Sequence, residues 1–190
     1  SFIGSGNFAT KVLIPAVQKT GVSLLSIASK NGVSGSINGI KFGFQQTTTE
    51  VEKLLQDEKS KVVVIASKHD SHAKYVKMAL SAGKHVFVEK PLCLTHDELR
   101  DLEEFYESLS GDDNTPLLMV GYNRRFSPQI KKIKELLSSY NEPKAFILTV
   151  NAGQIPTGHW LHDEEIGGGR ILGEGCHFID LLRFLSGSAI

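Results

Sequence analysis

The glycine-rich turn at residues 4–9, with the sequence GSGNFA, constrains the fold of this chain more than any other segment. Its Gly-x-Gly-x-x-Ala spacing lies between the apolar residues 2–3 and a helical pattern over 8–19. In a strand-turn-helix setting, the first glycine permits the tight turn and the small Ala9 lets the helix pack closely on the strand. The turn therefore predicts that the chain opens with a β-α-β unit of a parallel sheet.

Short apolar runs alternate with amphipathic stretches over the first two-thirds of the chain, which is typical of strands joined by helices. The clearest buried strand is 62–66, VVVIA, because an unbroken β-branched run suits a sheet covered on both faces. The predicted class is α/β, with a Rossmann-type doubly wound parallel sheet over 1–122 and a new domain over 123–190. Pro15 is expected to kink or shorten the first helix. The remaining predicted strands are 22–28, 85–88, 117–120 and 145–150; the predicted helices are 8–19, 34–42, a helix to 56 opened by a capping box at 47–50, 72–82, a helix to 108 opened by a capping box at 95–98, 127–140 and 174–185; the predicted loops are 111–116 and 151–169.

Composition excludes several classes of partner. Lys and Arg together number 21, as do Asp and Glu, so no net field concentrates nucleic acid or an anionic membrane around the protein. Cys93 and Cys176 have neither the number nor the spacing of a disulfide framework, which favours a reducing compartment and makes the cytoplasm the expected location. No apolar run approaches the ~20 residues that a bilayer span requires.

The same glycine turn predicts a site for the pyrophosphate of NADP or NAD. Gly6 lets the backbone approach the phosphates, and the following helix N-terminus supplies N–H groups and partial positive charge. The acidic residue that usually holds the ribose 2′-hydroxyl about twenty residues further on is replaced here by Ser29 and Lys30. A hydroxyl and a cation suit a 2′-phosphate, which favours NADP. Two alternatives stay open: a glycine turn that binds no ligand, and ordinary loop roles for Ser29 and Lys30.

Segment 82–91, AGKHVFVEKP, closely resembles the signature of the glucose-fructose oxidoreductase/inositol dehydrogenase/rhizopine catabolism family. Three further features carry the same resemblance: His72, segment 121–126 (GYNRRF), and the glycines 167–169 followed by His177 and Asp180. The resemblance covers essentially the whole chain. It implies an NAD(P)-dependent oxidoreductase that transfers a hydride to or from a hydroxyl-bearing carbon of a sugar, polyol or sugar derivative. It also implies that 123–190 begins an α+β substrate and dimerisation domain with an open, mostly antiparallel sheet.

Two residues receive chemical roles from this resemblance. Lys90 is implied to reach the substrate hydroxyl and the nicotinamide ribose, aimed by a cis Pro91, and a lysine there can stabilise the oxygen charge that develops during hydride transfer. His177 is implied to be the general acid/base, since imidazole titrates near neutral pH. The family's aspartate four residues before this histidine is Gly173 here, with Glu174 beside it. Either Glu174 takes over the orienting role, or His177 works without a carboxylate, or the chemistry is altered.

The remaining candidate residues are two arginines, one tryptophan and a group of histidines and one cysteine. Arg124 and Arg125 are candidates for one ion pair and one substrate contact, without an assignment of which is which. Trp160 is either a sugar-stacking or lid residue or a buried aromatic anchor. The spacing of His159, His162, Cys176 and His177 matches no standard zinc site, so no metal is predicted.

The predicted site residues form three sets. The catalytic set is Lys90 and His177; the cofactor-binding set is Gly4, Ser5, Gly6, Asn7, Phe8, Ser29, Lys30, Ala66, Ser67, His69, His72, Glu89, Lys90 and Asn123; the substrate-binding set is Lys90, Arg124, Trp160, Glu174 and His177.

Other readings concern the whole protein. A non-catalytic NAD(P)-binding sensor or scaffold is the alternative function, kept open by Gly173, although the presence of both Lys90 and His177 argues against it. Too few residues precede the turn for a full strand, so the chain is expected to begin inside its first strand, with a fusion to another domain left open. The family resemblance also implies that the full-length protein is a homo-oligomer.

Overall fold

The computed structural model describes residues 1–109, 111, 114–140 and 142–188. The chain forms two compact units, Ser1–Val120 and Gly121–Ile190. In the described part of the chain, no helix has both the length and the apolar character needed to cross a membrane.

The first unit is built on a six-stranded sheet in which every pairing is parallel. The strand order is β3-β2-β1-β4-β5-β6, so the order reverses between β1 and β4. This is the doubly wound order of a Rossmann-type sheet, and the predicted fold class is confirmed. The strands are β1 (Phe2–Ile3), β2 (Ser26–Ala28), β3 (Gln46–Thr48), β4 (Val62–Ile65), β5 (His85–Val88) and β6 (Leu118–Val120); the helices are α1 (Ile14–Gln18), α2 (Gly32–Phe42), α3 (Val51–Gln56), α4 (His72–Ser81) and α5 (His96–Leu109).

Alternate side chains of the central strands enter two separate apolar clusters. Phe2 and Val64 belong to one cluster, while their neighbours Ile3, Val63 and Ile65 belong to the other. Because successive side chains of a strand point to opposite faces, the clusters are the cores on the two faces of the sheet. Each fully buried side chain of this kind contributes about 1.5–3 kcal/mol to the free energy of unfolding.

One buried cation supports this architecture away from the ligand edge. Lys84, from the AGKHV part of the signature, is buried, and its amine donates to the Asp57 carbonyl at 2.9 Å. Asp57 is the C-cap of α3, where carbonyl groups lack helical partners and a positive charge is favourable. This lysine therefore has a structural role in the first unit.

The second unit contains two longer helices, α6 (Pro128–Leu137) and α7 (Cys176–Ser186). The predicted helix 127–140 is found as α6, and Ser127 caps it, since its hydroxyl accepts from the Ile130 N–H at 3.3 Å. The Lys134 amine on α6 donates to the Leu185 carbonyl of α7 at 3.1 Å. The described residues of the unit also form the 3₁₀ turns Asn123–Phe126 and Trp160–His162 and the π turn Ile171–Gly175 that leads into α7.

Several predicted local structures were wrong. Segment 145–150 is not a strand, because extended backbone becomes a strand only when it pairs, and no described residue pairs with it. The capping box at 47–50 does not form: Thr47 lies in β3, and the Thr48 hydroxyl accepts from the Glu50 N–H at 3.0 Å instead. This short strand is polar and lies at the sheet edge, so no apolar run marks it.

Other local predictions were close to the structure. The capping box at 95–98 is confirmed, because the Thr95 hydroxyl accepts from the Glu98 N–H at 3.1 Å and the Glu98 carboxylate accepts from the Thr95 N–H at 3.2 Å. The predicted first helix is divided into a π turn, Ala9–Leu13, and α1. Pro15 near the start of α1 has no N–H to donate, which explains the altered hydrogen-bond spacing before it. The predicted loop 111–116 includes Asp112 and Asp113, which lie outside the described residues.

Candidate cofactor and substrate site

Gly4 follows β1 and lies against the ends of both neighbouring strands, β2 and β4. Its N–H donates to the Ala28 carbonyl at 2.8 Å, and its φ of 104° lies in the region that favours glycine. A Cβ at Gly4 would lie 2.5 Å from the Ala66 carbonyl oxygen and 2.7 Å from the Ser67 nitrogen. Both the backbone conformation and the close approach therefore require glycine. The turn lies at the reversal of strand order, where α/β sheets bind ligands.

Gly6 presents the opposite case. It is exposed, its φ is not positive, and a Cβ there would meet no atom within 4 Å. No contact among the described residues therefore requires a glycine at the position, and the open backbone leaves room for a phosphate group to approach. Asn7 and Phe8 are also exposed, at the start of the helical segment. The turn thus fits the pyrophosphate of a dinucleotide.

The end of β2 is joined to the same turn by a pair of hydroxyls. The oxygens of Ser5 and Ser29 lie 2.8 Å apart and share a hydrogen bond. Ser29 is buried, and a Cβ at Gly35 would lie 3.0 Å from the Ser29 Cβ, so the start of α2 packs against it. Lys30 is exposed next to this pair. The structure therefore brings the predicted Ser5, Gly6 and Ser29 to one edge of the sheet, beside an exposed cation.

His72 connects the ends of β4 and β5. Its ring is 1% exposed, with Nδ1 2.7 Å from the Pro91 carbonyl oxygen and Nε2 3.2 Å from the Ser67 carbonyl oxygen. Burial lowers the pKa of His72, and the two carbonyls partly oppose that effect. The predicted cofactor-binding His72 therefore has its ring inside the protein. His69 is also buried, and its ring centroid lies 5.7 Å from that of His72.

Glu89 and Lys90 follow β5 at the carboxyl edge of the sheet. The Lys90–Pro91 peptide bond is cis, as the resemblance implied. Glu89 is 8% exposed, and burial raises the pKa of its carboxyl group, an effect that the charge of Lys90 and its backbone N–H partly offset. Lys90 itself is partly buried. Carboxyl groups whose pKa is raised by burial are often found at functional sites.

The second unit assigns different positions to the two arginines. The Arg125 guanidinium forms a two-point ion pair with Asp180, including a 3.0 Å contact from Nε to Oδ2. Asp180 is buried, so this pair joins the 3₁₀ turn at 123–126 to α7. Arg124 is exposed and stacks over the Phe178 ring, with 4.5 Å from Cζ to the ring centroid. Arg125 is therefore the ion-pairing arginine, and Arg124 presents its charge at the surface.

His177 lies on α7 in an aromatic setting. Its ring meets the Tyr122 ring edge to face, with 6.4 Å between centroids. Asn123, predicted to contact the cofactor, is exposed at the start of the adjacent 3₁₀ turn. Trp160 is partly buried in its own 3₁₀ turn, and its ring centroid lies 5.5 Å from that of His159.

The position of the missing aspartate is filled by an apolar side chain. A Cβ at Gly173 would lie 2.3 Å from Cδ1 of Leu161. The neighbouring Glu174 carboxylate accepts from Arg170 Nε at 2.9 Å, and Arg170 also donates to the Gly153 carbonyl at 2.7 Å. Leu161 was missed by the sequence reasoning, because a contact across twelve residues of irregular loop leaves no periodic signal. Among the described residues, no three His, Cys, Asp or Glu side chains are grouped as metal ligands would be.

Comparison with known proteins decides the family. Residues 1–114 match a family model described as an oxidoreductase family with an NAD-binding Rossmann fold, the glucose-fructose oxidoreductase/inositol dehydrogenase/rhizopine catabolism family. The chain belongs to this family.

Two family relatives illustrate the similarity. The chain is 27% identical over 188 residues to D-xylose 1-dehydrogenase (NADP(+)) 2 of Haloferax volcanii, which covers 98% of this chain and 56% of that protein. It is 29% identical over 150 residues to myo-inositol 2-dehydrogenase of Thermotoga maritima. That alignment covers 79% of this chain and 43% of that protein. The chain thus spans about half the length of these curated relatives.

Solved structures show the same fold. A levoglucosan dehydrogenase in complex with NADH and levoglucosan superposes with a TM-score of 0.80 at 23% identity, over 98% of this chain and 53% of that one. A probable dehydrogenase from Thermotoga maritima superposes with a TM-score of 0.78, over 100% of this chain and 55% of that one.

Proposed function

We propose that this chain carries the NAD(P)-binding domain, over 1–122, and the beginning of the substrate domain, over 123–190, of an NAD(P)-dependent oxidoreductase. The enzyme would transfer a hydride to or from a hydroxyl-bearing carbon of a sugar, polyol or sugar derivative. The observation that carries the proposal is the glycine turn at the reversal of strand order, where Gly4 has a backbone conformation that requires glycine and Gly6 leaves its backbone open to a ligand.

The residues of the first unit divide the work of binding and polarisation. Gly6 and the N–H groups that follow it hold the pyrophosphate, while Ser5 and Ser29 keep the turn against the end of β2. A bound nicotinamide cofactor supplies the group that accepts or donates the hydride. Lys90, at the end of β5, donates a hydrogen bond to the reacting oxygen and stabilises the negative charge that develops there.

The residues of the second unit supply the proton transfer and the substrate contacts. His177 accepts the hydroxyl proton as the alcohol is oxidised and returns it in the reverse reaction. Arg124, with its guanidinium stacked and exposed, and Trp160 contribute contacts to substrate hydroxyl groups. The relatives named above are enzymes, which supports this proposal over the non-catalytic sensor. We also propose a homo-oligomeric full-length protein.

We propose NADP rather than NAD as the preferred cofactor. Ser29 has its hydroxyl bonded to Ser5, which leaves Lys30 as the exposed cation beside the ribose position. A charge-assisted bond from Lys30 to a 2′-phosphate would strengthen binding about tenfold or more. The D-xylose dehydrogenase relative carries NADP(+) in its name, which supports this preference.

The first experiment is a titration with NADPH and with NADH, followed by nicotinamide fluorescence. Gly6→Arg should abolish saturable binding, whereas the matched control Gly158→Arg should not, since Gly158 is equally exposed and open but lies in the second unit. Lys30→Ala should weaken NADPH binding about tenfold and NADH binding little. Absence of binding by the unmodified chain, or equal loss in both arginine variants, would contradict the proposal.

The second experiment tests the reaction. Reduction of NADP+ or NAD+ is followed by the absorbance of the reduced nicotinamide, with myo-inositol, D-xylose and levoglucosan as probes. Reduction that is lost in both Lys90→Met and His177→Ala supports the assigned roles. Nucleotide binding without reduction of either cofactor by any probe would favour the sensor instead.

A further inference from the structure

The ring of His72 is engaged on both sides by backbone carbonyls. Nδ1 lies 2.7 Å from the Pro91 oxygen and Nε2 lies 3.2 Å from the Ser67 oxygen. Carbonyl oxygens only accept, so a neutral imidazole with its single N–H can bond one of them at a time. The shorter distance favours the proton on Nδ1 and the bond to Pro91. The ring is 1% exposed, so no nitrogen is available to a ligand.

The two carbonyls belong to the ends of neighbouring strands. Ser67 follows β4 and also lies against Gly4, since a Cβ on that glycine would be 2.7 Å from the Ser67 nitrogen. Pro91 follows β5 and is bonded through a cis peptide to Lys90. Because His72 is the first residue of α4, one helix N-terminus lies between the ends of both strands. A buried apolar residue would fill the space but could not donate to the Pro91 carbonyl.

We propose that His72 is a positioning residue: through its bond to the Pro91 carbonyl it fixes where Lys90 stands at the end of β5. The inference rests on the proposed function, in which Lys90 polarises the reacting oxygen. It replaces the expected contact of His72 with the cofactor by an indirect role.

Three substitutions test the bond to Pro91. His72→Asn places an amide N–H near the position of Nδ1 and keeps a donor for Pro91, whereas His72→Gln places its amide N–H near Nε2 and leaves Pro91 without a donor. His72→Leu offers a donor to neither carbonyl. His96→Leu is the matched control, because His96 is also the first residue of a helix but is exposed. Thermal denaturation of each variant shows whether it is folded.

The readout is the Lys90 side chain in the absence of nucleotide. Lysines are reductively methylated with ¹³C, and the Lys90 resonance is identified by its loss in Lys90→Arg. We expect the resonance to move towards that of exposed lysines in His72→Leu and His72→Gln, and to keep its position in His72→Asn and His96→Leu. If His72→Leu does not fold, the comparison of the Asn and Gln variants decides.

Two results would overturn the inference. One is an unchanged Lys90 resonance in folded His72→Leu or His72→Gln, and the other is a shifted resonance in His72→Asn. Neither depends on nucleotide binding, so failure of the proposed function would be seen separately in the NADPH and NADH titrations. In an active enzyme, kcat of His72→Gln should fall about tenfold or more, since small misplacement of a reacting group is costly, while the Kd for nucleotide stays within about threefold.

Discussion

Leu161 occupies the space into which a side chain at Gly173 would project, with only 2.3 Å between its Cδ1 and the Cβ that glycine lacks. The departure from the family pattern at this position is therefore matched by a second residue. The two positions form a packed pair, in which a small residue accommodates a large apolar one.

This pairing predicts a coupled mutational effect. Gly173→Asp should destabilise the second unit by about 2–4 kcal/mol, since it forces Leu161 to move and buries a carboxylate. Leu161→Ala alone should cost about 2–4 kcal/mol through the cavity it leaves. In the double variant the loss should be smaller than the sum by at least about 1 kcal/mol, measured by urea denaturation. Strict additivity would mean that the two positions do not share this space.

The ion pair of Arg125 with Asp180 should contribute more to the free energy of unfolding than the stacking of Arg124 on Phe178 does. Arg125→Met leaves a buried carboxylate without its partner and should cost about 2–3 kcal/mol, allowing for the partial exposure of the arginine. Arg124→Met should cost less than about 1 kcal/mol, because only the stacking on Phe178 is lost.

Chemical denaturation of both arginine variants provides the comparison, with Arg125→Met/Asp180→Leu as a further control. That double variant should recover most of the loss, because it leaves no unpaired charge. Equal destabilisation by Arg124→Met and Arg125→Met would contradict the distinction.

The two glycines of the turn should respond oppositely to alanine. Gly4→Ala meets backbone atoms and a positive φ, so it should reduce the free energy of unfolding by more than about 2 kcal/mol. Gly6→Ala meets open space and should change it by less than about 0.5 kcal/mol. If the proposed pyrophosphate site is right, Gly6→Ala should nevertheless weaken nucleotide binding. Stability is read from thermal melts without nucleotide and affinity from fluorescence titration.

The buried His72 predicts a dependence of stability on pH. Its pKa is lowered in the folded protein, so below about pH 6.5 the unfolded chain binds more protons and the free energy of unfolding falls as the pH falls. The loss between pH 7 and pH 5 should be smaller in His72→Asn, which cannot take up the proton. Glu89 acts in the opposite sense, because its raised pKa adds stability that is lost as the pH rises through the folded value. The chain with His72 and the His72→Asn variant are therefore compared in a Glu89→Gln background by urea denaturation at each pH. Parallel profiles of the free energy of unfolding against pH would contradict the prediction.

Cys93 should be a slow thiol. Burial raises its pKa to about 11, with further contributions from Glu98 and Glu103. Since the thiolate is the nucleophile, Cys93 in a Cys176→Ser variant should react slowly with iodoacetamide at pH 8 and faster towards pH 11. Mass spectrometry measures the rates, and the urea-unfolded chain gives the reference. A folded rate at pH 8 that matches the unfolded one would contradict the raised pKa.

Local patterns were read well where apolar residues repeat and poorly where they do not. The run 62–66 predicted a buried strand, found as Val62–Ile65, because β-branched side chains suit a sheet with helices on both faces. The strand Gln46–Thr48 was missed because it is polar, and its pairing with β2 defines it. Segment 145–150 has an apolar strand-like pattern but no partner among the described residues, and a strand cannot exist without one.

In the candidate site, too, some features could be predicted from the local sequence and others only from the tertiary structure. The glycine turn and the Glu89-Lys90-Pro91 segment could be found from sequence, since each sits within a few residues of its strand. The sequence left the roles of Arg124 and Arg125 open, because adjacent residues of one type carry no information about their partners. The contact with Asp180, 55 residues further along the chain, shows that Arg125 forms the ion pair. The substrate contact of Arg124 stays a prediction.

The sequence alone determined the alternation of strands and helices, the glycine turn and the family, because these depend on periodicity and on residues close together in the chain. The tertiary structure decided which groups are engaged by the protein itself. It buried the ring of His72 between two strand ends, placed Leu161 against Gly173, and left Gly6 open. These features are set by how whole elements and loops pack against one another, and no periodic pattern in the sequence encodes them.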